Sequence, residues 1–213
     1  YFYEEIPELH IIGAGSLLEF GLRQISVPIG RIQSLNMQPM NFIEFLWATQ
    51  KTLLADRLLH GATEFSANEI DIINKELEKY FLVGGMPECV SAFAQNNSYQ
   101  QVVDIQTDLL TQFRQDFPKY IGHADKDCLN QVIDGVAKRV GKQIKYSHLS
   151  QDFSIPTIKK AFELLELARF FSKVESVNPD GNPLGVSINH KYFKPVFLDI
   201  GLLSNLNGYY EIS

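Results

Sequence analysis

The apolar and polar positions change rhythm three times along the chain. Leu9-His10-Ile11-Ile12 is a short apolar run halted by Gly13-Ala14-Gly15-Ser16, which predicts a buried strand with a helical turn, SLLEF, behind it. Arg31-Ile32-Gln33-Ser34-Leu35-Asn36-Met37 alternates polar and apolar residues, the period of a strand, and Pro39 ends it. Helical patterning follows. Asn41 stands three before Glu44, and Ser66 three before Glu69, the spacing of a capping box. After Ser66, the residues Ile70, Ile73, Leu77 and Phe81 fall on one helical face. Gly84-Gly85 stops this helix. Met86-Pro87 starts another, with proline in the first turn, where its missing N–H is harmless. A long helix is predicted from Ser98 to Phe117, striped by Val102, Leu109, Leu110, Phe113 and Phe117 and closed by Pro118.

The final third reads differently. Helices are expected near Asp127–Arg139, around Tyr146–Ser150 and from Ser154, the last capped by Ser154 with Pro156 in its first turn. Ile155, Ile158, Phe162 and Leu165 form its predicted buried face. Two strand-like runs, FFSKVESV and LGVSIN, flank the turn signal Asn178-Pro179-Asp180-Gly181. Three helices and then a hairpin is the order of a winged helix-turn-helix. The fold class expected is therefore mostly α with some β.

Composition narrows the class. The chain has 213 residues, 45% hydrophobic and 21% charged, too apolar for disorder. A chain of this length buries roughly 70% of its unfolded surface, enough for one large or two small domains. Cys89 and Cys128 cannot make a disulfide framework, so free thiols in a reducing cytoplasm are expected. No apolar run approaches the roughly 18 residues of a membrane span, and no membrane partner is expected. The opening YFYEEIPELH carries acids where a secretory signal carries bases, and it lacks an initiator methionine, so the chain reads as a piece of a longer one.

The net charge is -6, which argues against a protein whose whole surface binds nucleic acid. The charge is uneven, however. Residues 138–173 hold Lys138, Arg139, Lys142, Lys145, Lys159, Lys160, Arg169 and Lys173 against only Asp152, Glu163 and Glu166. A basic island in an acidic chain marks a second functional region.

Several chemistries fail on spacing. Gly135 to Gly141-Lys142 is one residue too long for a P-loop, and Gln143 stands where Ser or Thr must hold magnesium. Gly13-Ala14-Gly15 lacks the third glycine of a dinucleotide fingerprint, since Leu18 occupies that place. Glu4-Glu5 resembles the acidic end of a Walker B strand but is followed at once by Pro7. The histidines (His10, His60, His123, His148, His190) have no metal-ligand spacing, and no serine sits in a G-x-S-x-G elbow.

Taken in order, HIIGAGSLLEF, ISVPIGRIQSLNMQPMNFIEFL, YFLVGGMPECV, DLLTQFRQDFPKY, GKQIKYSHLS, LELARFFSKVESVNPDGNPLG and KPVFLDIGLLS resemble segments of one family. It is the bacterial and archaeal AAA-type ATPases whose C-terminal region is a domain of unknown function. The resemblance covers nearly all of residues 1–206. It implies residues 1–40 as the end of an α/β ATPase core, 41–122 as a helical lid, 123–190 as a winged helix, and 191–213 as the start of a nuclease-like region. The Walker A and Walker B motifs would precede this chain. ATP and Mg2+ would thus be bound by the full-length protein, with the missing N-terminal P-loop region as the chief partner and an oligomer allowed.

By the same resemblance, Ser16 lies at the sensor-1 position. A short polar group there can orient the attacking water, and capping of the next helix is its other reading. Arg31 is placed to meet a phosphate in its own or a neighbouring subunit, as suits a guanidinium, with a surface ion pair as the alternative. Gly85 and Pro87 belong to a glycine–proline lid motif that packs on adenine in related ATPases, or simply break and restart helices. Lys142, Lys145, Lys159 and Lys160 are the candidates for nucleic-acid phosphates, although Glu163 and Glu166 share the exposed side of the third helix. The expectation is thus a lid and winged-helix portion of a cytoplasmic AAA-type ATP-binding protein, itself unable to hydrolyse ATP. The alternatives are a winged-helix module that binds DNA and a protein-interaction domain without catalysis.

Overall fold

A computed structural model describes residues 2–15, 30, 33–61, 64–120, 126–177 and 188–210. Among these the fold is mostly helical with one small antiparallel sheet. The elements in order are α1 (Phe2–Glu5), α2 (Phe42–Ala48), α3 (Thr52–Leu59), α4 (Ala67–Val83), α5 (Pro87–Asn96), α6 (Tyr99–Asp116), α7 (Lys126–Ala137), α8 (Ile155–Leu167), β1 (Phe171–Val177), β2 (Ile188–Phe197) and α9 (Ile200–Leu206). Short 3-10 turns lie at Phe117–Tyr120 and Tyr146–His148.

Local signals form the helix ends as expected. Asn41 and Glu44 bond reciprocally at the start of α2, and Ser66 and Glu69 do so at the start of α4. Each box satisfies amide groups that the first helical turn leaves without partners. Ser98 caps α6 and Ser154 caps α8.

The inward faces differ in part from the pattern. On α4 the buried residues are Glu76 and Val83, while Ile70 and Phe81 are exposed. Glu76 enters the protein because Lys79 (2.8 Å) and Lys51 (4.0 Å) neutralise it there. On α8, Ile158, Phe162 and Leu165 are buried, but Ile155 is exposed at the first turn. Of the expected second strand LGVSIN only Ile188 and Asn189 lie among the described residues, and both belong to β2; the turn signal Asn178-Pro179-Asp180-Gly181 lies outside them. β2 runs Ile188–Phe197, and Pro195 in its midst hid it from the alternation rule.

Among the described residues neither expected N-terminal strand is present, and Arg31 and Ile32 of the second lie outside them. Leu9–Ile12 has no strand assigned and no sheet partner among the described residues, and Ile12 is 95% exposed. Residues 33–37 likewise carry Leu35 (85% exposed) and Met37 (94%) into solvent. Alternation selects an extended backbone, but a strand also needs a neighbour to take its ladder bonds, and no described segment lies beside either.

Two apolar cores organise the rest. The smaller joins Phe45, Val83, Cys89, Val90, Phe93 and Val102. The larger runs from Leu110 and Phe117 through α7, α8 and the sheet to Leu202 and Leu203. Its centre is aromatic. Phe162 touches Phe171 (ring centroids 4.5 Å apart) and Phe193 (4.9 Å), and Tyr146 closes on both Phe162 and Phe193. The sheet pairs Phe171 with Phe197, and its register shifts between Glu175 and Ser176. On the other side of β2, Ile144 exchanges both backbone bonds with Phe193 (2.8 and 3.1 Å). The order is thus helix, one-residue strand, 3-10 turn, helix, and two paired strands. β2 passes through position 190 without a break and leads directly into α9. Phe162→Ala should lower the unfolding free energy by about 3–5 kcal/mol, read from the urea midpoint at unchanged slope.

Candidate functional site: a buried aspartate junction

The turn Gly84-Gly85-Met86-Pro87 lies where three distant backbone segments meet. Gly84 ends α4 with φ 74, the left-handed region that glycine enters without strain. Gly85 donates its N–H to Asp199 Oδ2 (2.6 Å) and accepts from Met40 N (2.7 Å) through its carbonyl. A Cβ on Gly85 would run into the Met40 carbonyl. A Cβ on Gly201 would stand 2.6 Å from both Gly84 N and the Val83 carbonyl. Absence of side chains therefore lets the three strands of backbone touch.

Asp199 holds the junction. It is 3% exposed, N-caps α9 by accepting from Leu202 N (2.9 Å), and reaches Gly85 with its other oxygen. Burial pushes its carboxyl above the ordinary value of 3.8, while the Gly85, Leu202 and Gly201 amides pull it down. Gln106, 1% exposed in the middle of α6, donates to the last carbonyls of α4, at Leu82 (2.8 Å) and Val83 (3.1 Å). From α9, Ser204 donates to the Phe81 carbonyl (2.7 Å), Asn205 to the Val103 carbonyl (3.3 Å), and Asn207 to the Ala137 carbonyl (3.2 Å). Met86 packs against both apolar cores. Tyr80 donates to the Met40 carbonyl (2.8 Å), which fastens the segment before α2 to the same turn.

The neighbours of this carboxylate are inert as acids and nucleophiles near neutrality. Burial, with the Asp199 charge second, raises the Tyr80 hydroxyl to about 12 and the Cys89 thiol to about 12. Among the described residues, no group of three His, Cys, Asp or Glu could hold a metal ion. The arrangement is a mechanical fastening held by backbone donors.

Residues 74–211 match the family described as a domain of unknown function, DUF8612. The chain belongs to the DUF8612 family. No curated protein and no solved structure matches it. The DUF8612 span opens within α4 and closes beyond α9, so it contains every part of the junction except Met40 and Tyr80's other neighbours in α2.

The residues singled out in the sequence separate into three groups. Ser16 and Arg31 lie outside the described residues. Gly85 is buried within the junction and Pro87 is exposed at the first position of α5. Lys142 and Lys145 flank Ile144, with Lys142 exposed and Lys145 over the Tyr192 ring at 4.5 Å. Lys159 and Lys160 are exposed on α8, where Lys159 pairs with Glu163 (3.5 Å). Asp199 and Gln106 escaped sequence reading. Asp199 does leave one signal, an acid just before the apolar helix IGLLSNL, the place of an N-cap. No described helix is long and apolar enough to cross a membrane.

Gly85→Ala and Gly201→Ala should each destabilise the DUF8612 fold by about 1–3 kcal/mol or more through overpacking. Gly13→Ala, with open space around it, should change stability by less than about 0.5 kcal/mol. Urea unfolding of the three variants checks this. The raised Asp199 value also sets a pH dependence. The folded state holds this proton at higher pH than the unfolded chain does. The contribution is therefore fully present below 3.8 and is lost as pH rises through the raised folded value. Asp199→Asn removes that slope, so the stability difference between wild type and variant should narrow across the same window in urea titrations.

Proposed function

We propose that this chain is the lid and winged-helix part of an AAA-type ATP-binding protein, and that it relays the state of a nucleotide site carried by preceding sequence. The observation that carries the reading is the exposure of the strand-patterned residues Leu9, Ile11, Ile12, Leu35 and Met37, whose apolar side chains face solvent. Such strand-patterned residues gain stability only when another sheet covers them. An α/β ATPase core is the kind of partner that supplies one.

The residues described here are not themselves a triphosphate site. The Gly85 backbone is engaged by Met40 and Asp199, and the charge at the turn is a carboxylate, which repels phosphate. Pro87, exposed beside it, is the part of the motif free to meet a ligand face. The chain's own task is then mechanical. The segment ending at Met40 pulls on Gly85, Gly85 is bonded to Asp199, and Asp199 caps the helix that follows β2. A displacement of the leading segment thereby reaches the C-terminal core. Such a relay operates only if nucleotide binds two lid positions with different affinity.

The winged-helix assignment, expected over 123–190 and extended here through β2 to 197, rests on the order of elements and on the Ile144–Phe193 bridge, which supplies the short strand such a domain has between its first two helices. In this reading the recipient of the relay is a protein partner or DNA bound to that part.

This chain alone should hydrolyse no ATP above background. The polypeptide that includes the residues before Tyr1 should do so and should carry G-x-x-x-x-G-K-[ST]. Metal-dependent turnover by the isolated chain, or an upstream sequence without that motif, would overturn the proposal.

A further inference from the structure

We propose that the cleft between the end of α7 and the Tyr146–His148 turn binds the phosphate backbone of duplex nucleic acid without reading its sequence. The cleft holds about 350 Å³ and is lined by Lys138, Arg139, Lys142, Gln143, Ile144 and His148. Lys145 stands next to it. The site is separate from the aspartate junction and does not rest on the ATPase reading.

The stretch of chain that lines the cleft carries no acid of its own. No Asp or Glu occurs between Asp134 and Asp152. Both flanking acids are already engaged, Asp134 by Arg114 (2.6 Å) and Asp152 by Gln131 (2.8 Å). Among the described residues, neither Lys138 nor Lys142 is ion-paired, and both are exposed. Two of the cations are also held in place. Arg139 donates to the Gly135 carbonyl (3.2 Å), which leaves other guanidinium N–H groups for a ligand. Lys145 lies over Tyr192, on the strand that Ile144 bridges. Four permanent cations thus collect around one open cleft in a chain of net charge -6, and a ligand of closely spaced negative charges matches them. Duplex DNA carries one charge per roughly 1.7 Å of axis, and each neutralised phosphate releases counterions.

Two alternatives fit less well. Anionic membranes bind basic surfaces that also insert apolar side chains. Between Lys138 and Gln151 the large aliphatic residues Ile144 and Leu149 are buried. The α8 face is compromised by its own acids. Glu163 pairs with Lys159, and Glu166 accepts the Lys173 N–H (3.3 Å), so phosphates approaching Lys159 and Lys160 meet carboxylates. The contact surface is therefore the α7 end and not the third helix of the domain.

The test is fluorescence anisotropy of a labelled mixed-sequence duplex with the 213-residue chain, between about 50 and 200 mM salt. Binding at low salt is expected, with log affinity falling linearly against log salt. The triple variant Lys138→Gln, Lys142→Gln, Lys145→Gln should reduce that slope by about 2–3. Lys159→Gln with Lys160→Gln should leave it unchanged. Lys142→Glu alone, at an exposed position that the fold does not use, should weaken binding several-fold. Absence of binding at low salt, a slope unmoved by the cleft variant, a loss confined to or shared by the α8 variant, or binding to phosphatidylserine vesicles in place of the duplex would each overturn the proposal.

Discussion

The structure depends on a close approach of backbone at one point. Gly84 and Gly85 meet Gly201 and Met40 at distances a Cβ cannot occupy, and the carboxylate of Asp199 binds the amides on both sides. Glycine makes the contact possible and the carboxylate makes it directional. A buried carboxylate is expensive without partners, and backbone N–H groups are its partners here. Gln106 completes the arrangement by taking carbonyls that the end of α4 leaves unpaired. With Met86 packed on both cores, the helices of the smaller core and the sheet-bearing unit lose their independence.

That constraint lies almost wholly within the DUF8612 region. At the junction, burial moves the Tyr80 hydroxyl and the Cys89 thiol far from neutrality. Before α2, outside the DUF8612 span, apolar residues stand uncovered, and within the span exposed cations gather around Ile144.

Short-range signals made much of the fold readable. The Asn41–Glu44 and Ser66–Glu69 boxes, the Gly84 stop, the Pro87 start and the Ser154 cap all act within one turn, and each formed where its spacing placed it. Features that depend on distant partners were hidden. The HIIG run has the composition of a buried strand, but burial needs a neighbouring sheet. Glu76 is polar by type and enters a core face only because Lys51 and Lys79 come to it. Gln106 interrupts an apolar stripe for the sake of carbonyls 23 and 24 residues away. Asp199 shows as a local cap, yet its second bond crosses 114 residues of sequence to Gly85. Lys142 and Lys145 were legible as charge, whereas the pairing of Ile144, which lines the cleft beside them, with the distant Phe193 was not.

Native-state hydrogen exchange over a range of urea tests the central claim, that the junction joins both cores into one cooperative body. The account predicts that the amides of Val90 and Phe93 in the smaller core and of Ile133 and Phe162 in the larger exchange through a single opening, with one free energy and one urea dependence. Separate openings, with one core exchanging while the other stays protected, would contradict it.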